Sequence, residues 1–206
     1  MKKNCIFDLG QVLIPFVAKD IVADFIDDPE EIREIAAVLF DRLYWDRLDL
    51  GTIEDDELIE AACARLPEAW RADAVFIYAN WFQSRPVIAG MPRLLDDLKA
   101  RGQKLYLLSN VSCGFAEHYR ETPHLAELLG RFDGLAFSGP LHMIKPSPEI
   151  YRYLLDTYSL DPADCLFVDD NPKNIAGAEK LGIEGYQFDG DVEKLRAFLG
   201  LGPANA

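Results

Sequence analysis

Several features that mark other classes of protein are missing from this 206-residue chain. It has only three histidines and four cysteines, and no Cys or His spacing resembles a zinc site or a redox motif. No stretch approaches the roughly 18 apolar residues of a membrane span. Lys and Arg form no cluster and number 21 against 35 Asp and Glu, so we expect no nucleic-acid partner.

The cysteines and the N-terminus bear on the compartment. The cysteines lie far apart, at positions 5, 63, 113 and 165, which favours buried thiols in a reducing environment. The first residues, MKKNCIF, do not resemble a signal peptide. We therefore expect a cytoplasmic protein without membrane contact, either a monomer or a homodimer.

The composition present is that of a globular protein, with 50% hydrophobic and 27% charged residues. The formal net charge of −14 repels anions. An anionic substrate would therefore need a metal ion or local cationic groups to overcome the field of the whole protein.

Short apolar runs alternate with helical patterns over much of the chain. The predicted strands are 5–7, 104–108, 134–138, 165–168 and 185–189, and the predicted helices are 92–101, 150–160, 174–181 and 192–199. This alternation indicates an α/β fold with a doubly wound parallel sheet. Residues from about 18 to 83 look helical throughout, so 15–89 is predicted to be a helical insertion into a core of 1–14 and 90–206.

Polar side chains follow three of the predicted strands directly. Asp8 ends the first, Ser109 and Asn110 the second, and Asp169-Asp170 the fourth, while Lys145 lies in the loop after the third. Ligands of open α/β sheets bind beyond the carboxyl ends of the strands, so we expect these groups to meet at one edge.

Three carboxylates at one edge repel each other unless a cation lies between them. Mg²⁺ prefers oxygen ligands, and it commonly combines one or two carboxylates with waters and a substrate phosphate. A metal and a lysine are suited to the oxygens of a transferring phosphoryl group. An aspartate can also attack phosphorus and form an aspartyl-phosphate.

Four sequence motifs resemble those of the haloacid dehalogenase-like hydrolases. They are 7–13 (FDLGQVL), 107–110 (LLSN), 145–146 (KP) and 167–174 (FVDDNPKN). The resemblance implies a Rossmann-like core and identifies the insertion at 15–89 as the family's helical cap. Within the family, the first motif and the segment 45–57 resemble a subgroup that includes α-glucose-1-phosphate phosphatases.

The resemblance implies a catalytic centre with a bound Mg²⁺ ion. Asp8 would be the nucleophile and a metal ligand, and Lys145 would neutralise Asp8 and the phosphoryl group. The backbone carbonyl of Gly10 and the carboxylate of Asp170 would bind the metal directly. Asp169 would bind it through water or support the direct ligands.

The remaining implied roles concern substrate binding. Ser109 and the backbone at Asn110 would hold the phosphate, as would Lys145, and Asn174 would orient the acidic pair. In the cap, Trp45 and Arg47 are candidates for contact with the leaving group. The implied substrate is a small phosphorylated metabolite, with sugar phosphates first.

One departure from the family pattern leaves three alternatives open. Most phosphatases of this family carry a second Asp, the general acid and base, where this chain has Gly10. The protein is then a phosphatase that takes its proton from the cap, water or substrate, or a metal-independent 2-haloacid dehalogenase, or a weak relative with a binding role. The acidic pair Asp169-Asp170 disfavours the dehalogenase, which uses no metal.

Overall fold

A computed structural model describes residues 2–202 and contains a five-stranded, all-parallel sheet. The strands are β1 (Asn4–Phe7), β2 (Lys104–Ser109), β3 (Gly134–Phe137), β4 (Cys165–Asp169) and β5 (Glu184–Gln187), in the order β3-β2-β1-β4-β5. The direction in which strands are added reverses at β1. The carboxyl ends of β1 and β4 therefore flank the switch point, where open α/β sheets bind ligands.

Alternate residues of each central strand face opposite sides of the sheet. Phe7 and Leu107 belong to one hydrophobic cluster, while Ile6 and Tyr106 belong to the other. All residues of β1 and β4 are buried, because helices cover both faces. The predicted doubly wound α/β class is confirmed.

Twelve α-helices accompany the sheet in the described part of the chain. They are α1 (Ala18–Ala23), α2 (Pro29–Leu39), α3 (Arg42–Asp49), α4 (Asp55–Arg65), α5 (Arg71–Ser84), α6 (Met91–Ala100), α7 (Cys113–His118), α8 (Pro123–Leu129), α9 (Ser138–Leu141), α10 (Pro148–Thr157), α11 (Pro172–Glu179) and α12 (Val192–Phe198). None of them has the length and apolar character needed to cross a bilayer.

Helices α1–α5 fill the segment between β1 and α6 and pack largely against one another. Acidic N-caps explain where two of them begin. The Asp28 carboxylate accepts hydrogen bonds from the backbone N–H groups of Glu30 and Glu31, and Asp41 accepts one from Leu43. These caps stabilise the first turns of α2 and α3.

The third predicted strand is one residue too long, because Ser138 begins α9 instead. The Ser138 hydroxyl accepts a hydrogen bond from the backbone N–H of Val111 (2.9 Å) and donates one to the Asp49 carbonyl (2.5 Å). Ser138 thus links the loop after β2 to the end of α3. The predicted fifth strand, 185–189, is observed at Glu184–Gln187.

Candidate functional site

A buried lysine lies between two aspartates at the switch point. Lys145 Nζ is 2.8 Å from Asp8 Oδ1 and 2.8 Å from Asp169 Oδ2, and the Lys145 side chain is 1% exposed. Burial lowers the pKa of Lys145, but the charges of Asp8 and Asp169 outweigh this and raise it overall. A cationic ammonium group therefore lies beside the Asp8 carboxylate.

The loop that carries Lys145 is held by the end of β2. The Asn110 side chain accepts a hydrogen bond from the Lys145 backbone N–H (2.9 Å) and donates one to its carbonyl (3.1 Å). This two-point contact positions the lysine backbone. The sequence predicted Asn110 at this edge, but it contained no signal for the contact with Lys145.

Asp169 is fully engaged by neighbouring groups. Its carboxylate accepts hydrogen bonds from Lys145, from the Asn174 amide (3.0 and 3.1 Å) and from the Asn171 backbone N–H. Tyr151 donates in turn to the Asn174 carbonyl (2.8 Å). These contacts suit Asp169 to orienting Lys145, and they bring Asn174 into contact with the acidic pair through Asp169.

The site carries more negative than positive charge. Oxygens of Asp8, Asp169 and Asp170 lie within 4.8 Å of one another, and Lys145 supplies one positive charge against the three. Burial raises the pKa of Asp8 to about 6 against the opposing effect of Lys145, and burial followed by the charge of Asp169 raises the pKa of Asp170.

The donor set fits a hard divalent cation, which would relieve this repulsion. Asp170 forms no ion pair within residues 2–202, and no N–H of those residues donates to the Gly10 carbonyl. Oxygen atoms of Asp8, Gly10 and Asp170 are thus available as ligands. Asp169, which already accepts several hydrogen bonds, is less available.

A cavity of about 340 Å³ opens above these groups. Its polar floor includes Asp8, Ser109, Asn110, Lys145 and Asp170. Its apolar wall includes Ile14, Phe16, Trp45, Trp81, Val111 and Phe115. A cavity of this size accommodates a small metabolite.

The two candidates from the helical segment differ in position. Trp45 is 7% exposed and lines the cavity, where its ring packs 5.6 Å from that of Phe16. Arg47 is exposed and is not part of the lining. The arginine at the cavity is instead Arg42, near the start of the same helix, which pairs with Asp46 at 2.8 Å.

Position 10, two residues after Asp8, has room for a side chain. A Cβ placed on Gly10 would meet the Phe16 side chain at 3.6 Å, which is ordinary contact, and Gly10 has no positive φ. Steric exclusion therefore does not explain the glycine. The residues that directly follow Asp8 supply no proton either, because Leu9 and Gly10 are not titratable and the amide of Gln11 has no titratable group.

Sequence reasoning missed a buried carboxylic acid of the cavity. Asp49, the last residue of α3, is 5% exposed and lines the cavity together with Asp8 and Lys145. Burial raises its pKa to about 8. It belongs to none of the four motifs, and only its place two residues before Gly51 at a helix end sets it apart.

Comparison with known proteins gives matches over most of the chain. The chain is 27% identical to a sesquiterpene phosphatase from Aspergillus oryzae over 89% of its length and 88% of that protein. Some other curated relatives are longer, and the chain spans 34% and 22% of two of them.

Solved structures share the fold. A HAD-like family hydrolase from Porphyromonas gingivalis has a TM-score of 0.68 at 24% identity, with 97% of this chain and 98% of that chain covered. A HAD family enzyme from Bacteroides thetaiotaomicron, solved as a magnesium complex, has a TM-score of 0.70 at 21% identity over 96% and 98%.

The four motifs converge on one cavity, and the fold is that of HAD family enzymes. The sequence pattern of the haloacid dehalogenase-like hydrolases matches residues 2–182. The chain belongs to the haloacid dehalogenase-like hydrolases.

Proposed function

We propose that this protein is a Mg²⁺-dependent phosphate monoester hydrolase that works through an aspartyl-phosphate on Asp8. The observation that carries the proposal is the buried Lys145, held 2.8 Å from both Asp8 and Asp169 at the floor of the cavity. A phosphatase among the curated relatives adds support.

The chain's own residues account for nucleophilic attack. Asp8 attacks phosphorus, and the Lys145 ammonium stabilises the charge on the phosphoryl oxygens while holding the nucleophile in place. Ser109 and the backbone at Asn110 orient the phosphate from the end of β2. Water then hydrolyses the aspartyl-phosphate and frees Asp8.

Asp8, Asp170 and the Gly10 carbonyl would hold Mg²⁺, with Asp169 supporting them. When bound, the ion neutralises phosphate charge as a Lewis acid. The excess of negative charge at the site favours this cofactor, and one structural neighbour was solved as a magnesium complex.

The substrate is proposed to be a small phosphorylated metabolite. The resemblance to α-glucose-1-phosphate phosphatases favours a sugar phosphate, for which Arg42 and Asp49 offer polar contacts in the cavity. The aromatic wall around Phe16, Trp45 and Trp81 favours an apolar leaving group, as does the relative named a sesquiterpene phosphatase. Comparing kcat/KM on glucose 1-phosphate and on a prenyl monophosphate separates the two classes.

The helical segment is proposed to act as a cap. Residues 15–89 supply Phe16, Trp45 and Trp81 to the apolar wall of the cavity, where they exclude water from the leaving group. The four cysteines are free thiols, in keeping with the proposed cytoplasmic location. A monomer or a homodimer is expected.

Hydrolysis of p-nitrophenyl phosphate tests the proposal, because its good leaving group needs little acid catalysis. We expect phosphate release that requires Mg²⁺, stops with EDTA and is absent in Asp8→Asn. Folded protein without turnover but with Mg²⁺-dependent phosphate binding would favour a binding protein. Metal-independent halide release from a 2-haloacid would favour a dehalogenase.

A further inference from the structure

The missing acid at position 10 leaves a chemical requirement unmet. An alkoxide leaves phosphorus slowly unless a proton reaches it, and general acid catalysis is worth about 10²–10⁴-fold. A donor must be buried at the cavity, hold its proton near neutral pH and lie on the wall that faces the leaving group. Lys145 does not fit, because it is engaged by Asp8 and Asp169 on the floor.

Asp49 meets the requirement of position. It ends α3 and lines the cavity beside Trp45, on the side that the helical segment contributes. No hydrogen bond or ion pair to its carboxyl is found within residues 2–202. The carboxyl is therefore free to contact a bound ligand.

The backbone around Asp49 is fixed to the core. The Asp49 carbonyl accepts a hydrogen bond from Ser138 Oγ (2.5 Å), and the Leu50 carbonyl accepts one from His142 Nδ1 (3.3 Å). Gly51 packs so closely on α9 that a Cβ there would lie 2.3 Å from the Gly139 carbonyl. These contacts hold the end of α3 over the site.

The surroundings of Asp49 favour its neutral form. Burial is the largest effect on its pKa. Among the charged and titratable groups that face it, Arg42 and Lys145 lower the pKa, whereas Asp46 and Asp8 raise it. Burial is the main effect that raises the pKa of Tyr78, and the charge of Asp49 raises it further, so the Tyr78 phenol remains protonated. The carboxyl thus holds its proton under conditions in which an ordinary aspartate has lost it.

We propose that Asp49 is the general acid and base of this enzyme, in place of the residue that Gly10 lacks. The inference rests on the proposed phosphatase function. As the Asp8–phosphorus bond forms and the phosphorus–oxygen ester bond breaks, Asp49 gives its proton to the leaving oxygen. The Asp49 carboxylate then takes a proton from the water that attacks the aspartyl-phosphate, so phosphate leaves and both aspartates return to their starting states.

The test compares two esters in the wild type and in Asp49→Asn, a near-isosteric change. For p-nitrophenyl phosphate we expect kcat/KM within about 3-fold of the wild type, because phenolate needs little protonation. For glycerol 2-phosphate, with its alkoxide leaving group, we expect a loss of about 100-fold or more. Asp56→Asn, an exposed acid on the same helical segment, is the matched control and should retain wild-type rates on both esters.

A second readout examines the base role. With p-nitrophenyl phosphate, Asp49→Asn should release one equivalent of phenolate per enzyme in a burst and then turn over slowly, since water attack has lost its base. In the wild type itself, log kcat/KM should depend only weakly on the pKa of the leaving group. The pH profile of kcat/KM should decline on the alkaline side. That measurement does not require any variant to fold.

The outcomes separate this inference from the proposed function. Equal losses on both esters, or full retention on glycerol 2-phosphate, would overturn the role of Asp49 and leave the phosphatase intact. A steep leaving-group dependence in the wild type would also overturn it. A wild type that hydrolyses neither ester with Mg²⁺ would overturn the proposed function and the inference with it.

Discussion

At the scale of single residues, the site is organised by one cation among three carboxylates. Lys145 pairs with both Asp8 and Asp169 in the interior, where an unpaired charge costs several kcal/mol. Asn174 and the Asn171 backbone N–H orient Asp169. This arrangement leaves Asp8 and Asp170 as the oxygen donors with spare negative charge.

An acid introduced at position 10 should compensate for the loss of the Asp49 carboxyl. Because the Cβ position at Gly10 is in ordinary contact with Phe16, Gly10→Asp should fold. In the Asp49→Asn background we expect this second change to recover at least about 10-fold in kcat/KM on glycerol 2-phosphate. Steady-state assays of the double variant check this. No recovery in a folded double variant would count against the account of the glycine.

The raised pKa of Asp49 also predicts how stability depends on pH. Its pKa is about 8 in the folded protein and 3.8 in the unfolded chain, so the native state binds the proton more tightly between these values. As pH rises from about 4 to 8, the wild type should lose stability relative to Asp49→Asn, by about a few kcal/mol in all. Urea unfolding in EDTA at pH 5 and pH 8 measures the difference, and an equal gap at both would refute the shift.

At the scale of elements, the junction between α3 and α9 determines where Asp49 lies. Ser138 joins three segments by hydrogen bonds to Asp49 and Val111, and Gly51 allows the two chains to approach closely. The geometry of the site therefore depends on contacts between the helical segment and the core, as well as on the strand ends.

Gly51→Ala should disturb this junction. Gly51 has φ of +68°, and an added Cβ would meet the Gly139 carbonyl at 2.3 Å. The control is Gly102→Ala, where φ is +79° and nothing lies within 4 Å of the added Cβ, so only the backbone cost applies. We expect Gly51→Ala to be the less stable by about 1–3 kcal/mol in chemical denaturation. Equal losses of stability in the two variants would mean that the junction accommodates the added methyl group without cost.

Elements with a strong local pattern could be predicted from the sequence. The buried strands before Asp8 and Asp169 are continuous apolar runs, and the polar residues that follow them meet because the strands are parallel. Asp49 could not be predicted, because its burial accompanies the packing of α3 against α9, where Ser138 lies 89 residues away in sequence. Arg42 lines the cavity and Arg47 does not, and this difference likewise depends on how α3 is rotated against the core.

At the scale of the whole molecule, the net charge of −14 repels anionic ligands. Cationic groups at the site must offset this repulsion for an anion to bind. One lysine against three clustered carboxylates favours the binding of a cation at this site before that of a phosphate. Metal binding is therefore expected to stabilise the fold before any substrate is present.

Thermal unfolding in the presence of Mg²⁺ measures this coupling. At about 100-fold excess over Kd, Mg²⁺ should raise the Tm of the wild type by about 5–10 °C. Asp170→Asn should reduce the shift strongly, whereas Asp56→Asn should retain it. A wild-type Tm that does not respond to Mg²⁺ would contradict the metal assignment.

The central claim is that a phosphoryl group passes through Asp8. It is tested most directly by acid quench of the enzyme during turnover of p-nitrophenyl phosphate with Mg²⁺, followed by peptide mass spectrometry. We predict one added phosphoryl group on Asp8 that hydroxylamine removes, and its accumulation in Asp49→Asn. A phosphoryl group on another residue, or steady turnover with an unmodified Asp8 in both proteins, would contradict the account.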